Sequence, residues 1–296
     1  MLVKSIQRQQ AIAGYLFVAP AYVIFLYVML APIVITVVGS FFYVERFNLS
    51  FEYVGLENFQ WVLSDPLFWK TVKNTIVFVL FAVIGNVSLG LFAAVLMNRA
   101  LPHWALYVFR LVFFLPVLVA VSSVAFVWRA LYSTDFGLIN YYLSKIGLPA
   151  IHWLTDADMA LVSIVIFDVW KWFGFYMIIF LAALQNVPRS LIEAAKIDGA
   201  RPRSIFFKIT LPIISPVIFF ATTYATITGL QVYDSVRVMT NGGPGDATRV
   251  TVMYMVDEAF NGGDIATGAA ASVALLVIVS LVAIVQFLAG RKLVHQ

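Results

Sequence analysis

The stretch "EAAKIDGARPRSIFFKITLPIISP", residues 193–216, sets charges of both signs and three prolines between two long apolar runs. With the residues just before it, the segment 188–204 reads as an elbow. Pro188 breaks the preceding run. Ser190 stands three residues before Glu193, the spacing of a capping box, and the acid suits the positive end of a helix dipole. Gly199 can close a short helix in the left-handed conformation. Pro202 fits the first turn of a second helix, where its missing N–H costs nothing. The spacing predicts a helix of about two turns, a glycine turn, and a second helix that feeds the next apolar run. Leu191, Ile192 and Ala195 give the short helix an apolar side, while Arg189 and Lys196 supply charge. Ala194, Ala195, Gly199 and Ala200 are small enough for another surface to come close to the backbone. These features fit two readings, a docking surface and a capped helix resting on lipid headgroups.

The surroundings of the elbow decide the class. The chain has 296 residues, 62% hydrophobic and 11% charged, where a soluble domain carries about 25% charged residues. One core cannot hide that much apolar surface, so the chain reads as an all-α, polytopic membrane protein. A span needs about 20 mostly apolar residues, and six runs qualify: roughly 11–43, 71–98, 105–131, 159–185, 205–231 and 266–290. The first is long, and Pro20 and Pro32 predict a kink or an interfacial start. It exceeds the apolar region of a cleaved signal peptide and has no clear small-residue cleavage site after it. The whole of 1–296 reads as a single transmembrane domain, with the elbow between spans 4 and 5.

Six spans place both ends on one side. That side holds eleven basic residues, Lys4, Arg8, Arg99, Arg110, Arg189, Lys196, Arg201, Arg203, Lys208, Arg291 and Lys292, against the acids Glu193 and Asp198. The other side holds seven basic residues, Arg46, Lys70, Lys73, Arg129, Lys145, Arg237 and Arg249, against twelve acids. Lysine and arginine bias sets orientation, so both termini and the elbow are expected in the cytoplasm. The net charge of +4 follows from this distribution and does not point to nucleic acid. Tyr43, Trp61, Trp69, Trp128, Tyr132 and Trp153 fall at the expected interfaces, as in an aromatic belt.

The absence of cysteine excludes disulfides and thiolate metal sites. His103, His152 and His295 are far apart and show no metal-ligand spacing. Asp168 and Lys171 lie inside the fourth span. Charges there are costly and face a bundle interior or a watery cavity, and i, i+3 spacing lets the two partly neutralise each other. They fit either a lining for a polar solute or a structural pair near the outer interface. Trp170, Trp172, Phe173, Phe175 and Tyr176 surround them, and aromatic faces either stack on sugar rings or pack a bundle. The fifth span is rich in small polar residues, among them Thr222, Thr223, Thr226, Thr228 and Gly229, which either join helices or line a path. "TNGGPGDAT", 240–248, is a glycine-rich loop without the Gly-Lys-Ser/Thr of a phosphate-binding loop.

The wording of the elbow resembles the EAA motif of permease subunits of bacterial ABC importers. The matching positions are Glu193, Ala194, Ala195, Gly199, Ile209, Leu211 and Pro212. Asp198, Ala200, Phe207 and Pro216 resemble the carbohydrate-importing, maltose-type branch. "VWKWFGFYMIIFLAALQNVP", 169–188, and "VYDSVRVMTNGGPGDATRVTVMYMVDEAF", 232–260, are similar to the same branch, and the likeness covers residues 10–290 in span order. The resemblance implies that the elbow is a coupling helix docked in a groove of a cytoplasmic ATPase subunit. Glu193, Ala194, Ala195, Asp198, Gly199 and Arg201 are then the coupling residues. Glu193 caps and orients the helix, Ala195 and Gly199 allow close approach, and Arg201 with Arg203 meets either the ATPase or lipid phosphates. It implies a translocation path past Asp168, Lys171, Trp172 and Phe175 in the fourth span and Tyr224, Thr228, Gly229 and Val232 in the fifth. It places the 240–248 loop, near Asp246, Asp257, Glu258 and Asp264, on the outer face where a solute-binding protein docks.

The implied machine is an importer in a bacterial inner membrane for a carbohydrate or related polar solute. Its parts are this chain, a second and different permease, two ATPase subunits that hold ATP and magnesium, and an extracytoplasmic solute-binding protein. This chain has no Walker motif and is expected to bind no cofactor, metal or nucleic acid. The solute stays open among sugars, oligosaccharides, sugar alcohols, glycerol phosphates and uronates. The competing reading is an ion-coupled secondary transporter, for which Asp168 and Lys171 are the only candidate pair and inverted repeats are not visible. A membrane enzyme lacks paired carboxylates, a nucleophile–base set or metal spacing.

Overall fold

The computed structural model describes residues 2–44, 51–98, 102–262 and 264–293. Arg46, Arg99 and His295, used in the charge and histidine reading, lie outside these residues, as does 45–50 of the first expected outer loop. Among the described residues five helices are long and apolar enough to cross a membrane: Ala11–Gly39, Pro66–Met97, Ala157–Gln185, Pro202–Leu230 and Ile265–Gly290. The third expected span is a bent pair of helices. Trp104–Leu118 and Val121–Leu131 meet at an angle of 100°, where the sequence predicts one unbroken span over 105–131.

The break has a local cause. Pro116 supplies no N–H to the helix, and Val119 and Ala120 are extended, with ψ of 144° and 136°. Carbonyl groups freed at membrane depth need a donor. Lys171 supplies it, donating Nζ hydrogens to Pro116 O and Val119 O at 2.8 Å each. A second proline device occurs twice. Just before Pro32 the chain makes a π-helical turn, with the Ala31 N–H bonded to Leu26 O. Just before Pro212 the Leu211 N–H bonds to Phe206 O in the same way. The extra residue in the turn accommodates a proline that cannot continue the regular ladder.

The backbone falls into two units. One comprises Met1–Asp65 with Met255–Leu275. Here the first span ends at Gly39 and is followed by a short hairpin, Phe42–Val44 antiparallel to Phe51–Tyr53, with Tyr43 opposite Glu52. The expected first span ran to 43 and the expected loop began at 44, so the helix ends earlier than predicted and Phe42 and Tyr43 belong to a strand. Asn58, on the helix Glu57–Ser64, locks the hairpin base by donating to Ser40 O and Phe42 O at 2.9 Å. Asp264 starts the last helix, Ile265–Leu293, by accepting from the Thr267 N–H at 3.0 Å and the Thr267 hydroxyl at 2.6 Å.

The other unit comprises Pro66–Tyr254 with Leu276–Gln296. Its axis is the second span laid along the fourth. Small residues let the backbones close up: a side chain on Gly90 would meet Tyr176 Cβ at 2.7 Å, and one on Gly174 would collide with the Phe113 carbonyl. Phe78, Ile164, Phe167, Met177 and Phe180 fill the core between them. The segment after the broken span is pinned by Asn140, which donates to Thr134 O and Ile151 O and accepts from the Ile151 N–H and Trp153 Nε1. Trp128, Tyr132 and Trp153 pack on one another here, and Tyr132 is buried. They are core residues of this corner, whereas Trp61 and Trp69 are half exposed as an interfacial belt requires.

The glycine-rich loop 240–248 is tied down at the far end of span 5 from the elbow. The Thr240 and Thr248 hydroxyls lie 2.7 Å apart, and the Thr248 hydroxyl lies 2.8 Å from Gly243 O. The second span holds it from the side: Lys70 donates to Gly245 O, and Asn74 to Asp246 O and Arg249 O.

Candidate solute cavity and elbow

The second, fourth and fifth spans and the segment 231–235 enclose a cavity of about 170 Å³. One helical stripe of the fourth span, Asp168, Trp172 and Tyr176, forms one wall. Tyr224, Thr228, Gly229 and Val232 form another. Asn86 of the second span and Val121, at the start of the second half of the broken span, complete the lining together with polar residues of 231–235. Asp168 accepts a hydrogen bond from Asn86 Nδ2 at 2.9 Å. The other amide atom, Asn86 Oδ1, is buried and has no partner, and both residues of the dyad line the cavity.

Six of the eight residues expected along a path line this cavity. Lys171 and Phe175 do not. Lys171 is fully buried and holds the broken span, with its Nζ also 5.1 Å from the Trp172 ring centroid. The expected Asp168–Lys171 pair stays in electrostatic contact, but its two members hydrogen-bond to different spans. Asp168 faces the cavity with Asn86 as its partner, and Lys171 is a helix-end donor. Phe175 instead packs its ring on Tyr224, 5.4 Å between centroids. The sequence reading missed Asn86 and left Tyr176 out of its path residues. For Tyr176 a signal was present, since 168, 172 and 176 recur at i, i+4 and i+8 on one helix face. For Asn86, one of several polar residues in its span, none was.

The elbow forms as two helices, Arg189–Ile197 and Pro202–Ile205, with Pro202 at the first position of the second. The expected capping box is not made. Pro188 occupies the N-cap and no side chain caps the first turn, so Ser190 is already inside the helix and Glu193 points away, exposed. The C-terminal end follows the expectation. Gly199 has φ +75°, and the Ala200 N–H bonds to Ala195 O while the Gly199 N–H bonds to Lys196 O, the paired bonds of a Schellman ending. Ile192 and Ala195 are half-buried, and Ile192 packs on the core of the bundle. Ala195 lies one turn from Ile192 and keeps part of its surface exposed. Ala194, Asp198, Gly199 and Arg201 are exposed with Glu193, and so are two apolar side chains, Leu191 at 46% and Ile197 at 87%. The elbow joins two of the spans that line the cavity.

Residues 86–295 match the family described as "Binding-protein-dependent transport system inner membrane component". The trehalose/maltose transport system permease protein MalF of Thermococcus litoralis is 35% identical over 98% of this chain and 97% of its own length. The lactose transport system permease protein LacF of Rhizobium radiobacter is 34% identical over 97% of both. The sn-glycerol-3-phosphate permease protein UgpA of Escherichia coli is 35% identical over 92% of both. Among solved structures, a chain of a bacterial ABC transporter involved in import of the acidic polysaccharide alginate superposes with a TM-score of 0.84 at 21% identity, over 98% of both chains. A likeness that runs the length of the chain, through both the elbow and the cavity-lining spans, separates ABC-type transport from ion-coupled secondary transport. The chain belongs to the binding-protein-dependent transport system inner membrane components, the permeases of ABC transporters.

Proposed function

We propose that this chain is one of two different permease subunits of an importer for a carbohydrate or related polar solute. The observation that carries the reading is the connection between elbow and cavity. One exposed, Schellman-closed helix joins the fourth and fifth spans, and those spans carry Asp168, Trp172, Tyr176, Tyr224, Thr228 and Gly229 into one cavity. A rigid link of that kind turns a push at the elbow into a change at the cavity. The outward set Leu191, Ala194, Ile197 and Gly199, flanked by Glu193, Asp198 and Arg201, docks in an ATPase groove. Two such ATPase subunits hold ATP and magnesium, and their closure alternates the access of the cavity. The basic end of the chain, including both termini and the elbow, faces the cytoplasm. The tethered 240–248 loop faces outward, where a solute-binding protein delivers its cargo. Aromatic and hydroxyl groups in the cavity suit a sugar, which offers apolar ring faces and many hydroxyls. The relatives named for lactose and for trehalose and maltose support the solute class.

The expected outcome in proteoliposomes of the assembled transporter is uptake of labelled lactose or trehalose that requires ATP on the elbow side and the solute-binding protein on the other. Uptake by this chain alone, driven by a proton or sodium gradient and indifferent to ATP, contradicts the proposal.

A further inference from the structure

The cavity wall carries carboxylates and no cation. Its charged lining residues are Asp168 and, near the rim, Asp234. No lysine or arginine is among the described residues that line it. Lys171, the one basic side chain at this depth of the fourth span, is fully buried and directs its ammonium to Pro116 O and Val119 O; its charge offsets part of that of Asp168, but it offers no donor to the cavity. Asn86 gives its N–H to the carboxylate and keeps its Oδ1 buried without a partner, so it offers no cation either. An incoming group that meets the Asp168 carboxylate must donate hydrogen bonds. Sugar hydroxyls donate. A phosphate, sulfonate or uronate carboxylate only accepts when ionised, and it also meets a like charge in a confined site where screening by water is weak.

We propose that this cavity admits uncharged polyhydroxylated solutes and excludes anionic ones, with Asp168 as the specificity-determining residue. The inference rests on the proposed role of the cavity as the solute path, and it narrows that role. Relatives of nearly equal similarity carry names for both chemistries, lactose and glycerol 3-phosphate, so overall identity does not decide between them. The local charge does.

The absence of cysteine permits a direct test on the full chain in membranes. Thr228→Cys places a thiol at the cavity wall, and Ile197→Cys places one on the exposed elbow as a control. Each is treated with a methanethiosulfonate bearing a trimethylammonium and with one bearing a sulfonate, and each rate is normalised to that of free cysteine. The expected result at position 228 is a normalised preference for the cationic reagent of about tenfold or more, as one-signed clefts produce. Adding Asp168→Asn is expected to cut that preference at least threefold (a change of about this size follows from removing one nearby charge) without altering the rates at position 197. Equal rates, or a preference for the sulfonate, overturn the proposal that the cavity excludes anions. No reaction with either reagent at 228, while 197 reacts, overturns the prior reading that the cavity is a water-filled solute path.

Discussion

A Gly174→Ala chain is expected to lose about 3 kcal/mol of stability, near the upper end for overpacking, and Gly174→Val is expected not to assemble. Gly174 lies where the fourth span crosses the first half of the broken third span. The first carbon of any side chain there collides with the Phe113 carbonyl and comes within 3.2 Å of the Phe114 nitrogen. Both are helix backbone, so no rotamer change relieves the contact and the two helices must move apart. Separation also strains the neighbouring Phe113–Phe173 contact, 5.4 Å between ring centroids. Gly14→Ala is the matched control. A side chain there meets nothing within 4 Å, and alanine is the better helix former by about 1 kcal/mol. The comparison is read by unfolding in mixed micelles. An unchanged Gly174→Ala chain shows that these two spans do not approach as described.

Lys171→Met carries the second large effect. It leaves Pro116 O and Val119 O, both part-buried, without their donor, which costs about 2–6 kcal/mol at roughly 1–3 kcal/mol per stranded group. The consequence is local to the broken span. Its second half, Val121–Leu131, is expected to loosen from the fourth span, and Trp128 reports this because its ring lies 5.0 Å from that of Trp170. The measurement is tryptophan emission together with stability in mixed micelles. The expected result is a red shift and a lower transition for methionine, with partial recovery in Lys171→Arg, which retains donors at the site. Methionine with unchanged emission and stability contradicts the helix-end role. Val121 lines the cavity, so this structural lysine also shapes the site without touching what enters it.

The sequence made the elbow legible because its punctuation is local. Gly199 and Pro202 act through their own backbone geometry, and both take the expected positions. The capping box failed for an equally local reason: with Pro188 as N-cap the helix starts two residues earlier than it would from Ser190. Span positions were legible from apolar length alone. The break at Val119 and Ala120 was not, since the run 105–131 is apolar on both sides of it and Pro116 inside a span does not by itself force an end. What fixes the break is Lys171, which lies more than fifty residues further along the chain, so no local window contains both. The same distance in sequence hid the rest of what the charged pair does. Spacing of i, i+3 does bring Asp168 and Lys171 into electrostatic contact, but their hydrogen bonds reach other spans: Asp168 accepts from Asn86, and Lys171 donates to Pro116 O and Val119 O. Helical periodicity at 168, 172 and 176 was readable and would have added Tyr176 to the path. The role of Asn86 needed the packing of the second span on the fourth.

The central claim is that the exposed elbow is where an ATPase engages this permease. The most direct measurement places a single cysteine at Ile197, 87% exposed on the elbow, and another in the groove of the partner ATPase. Disulfide formation is then followed in the assembled complex with and without ATP. The expected result is a cross-linked species of the two chains whose yield changes with nucleotide, while a cysteine at Gly14 gives none. An importer that takes up solute with ATP yet shows no cross-link at Ile197, or at Leu191 and Ala194 tested in the same way, contradicts the account.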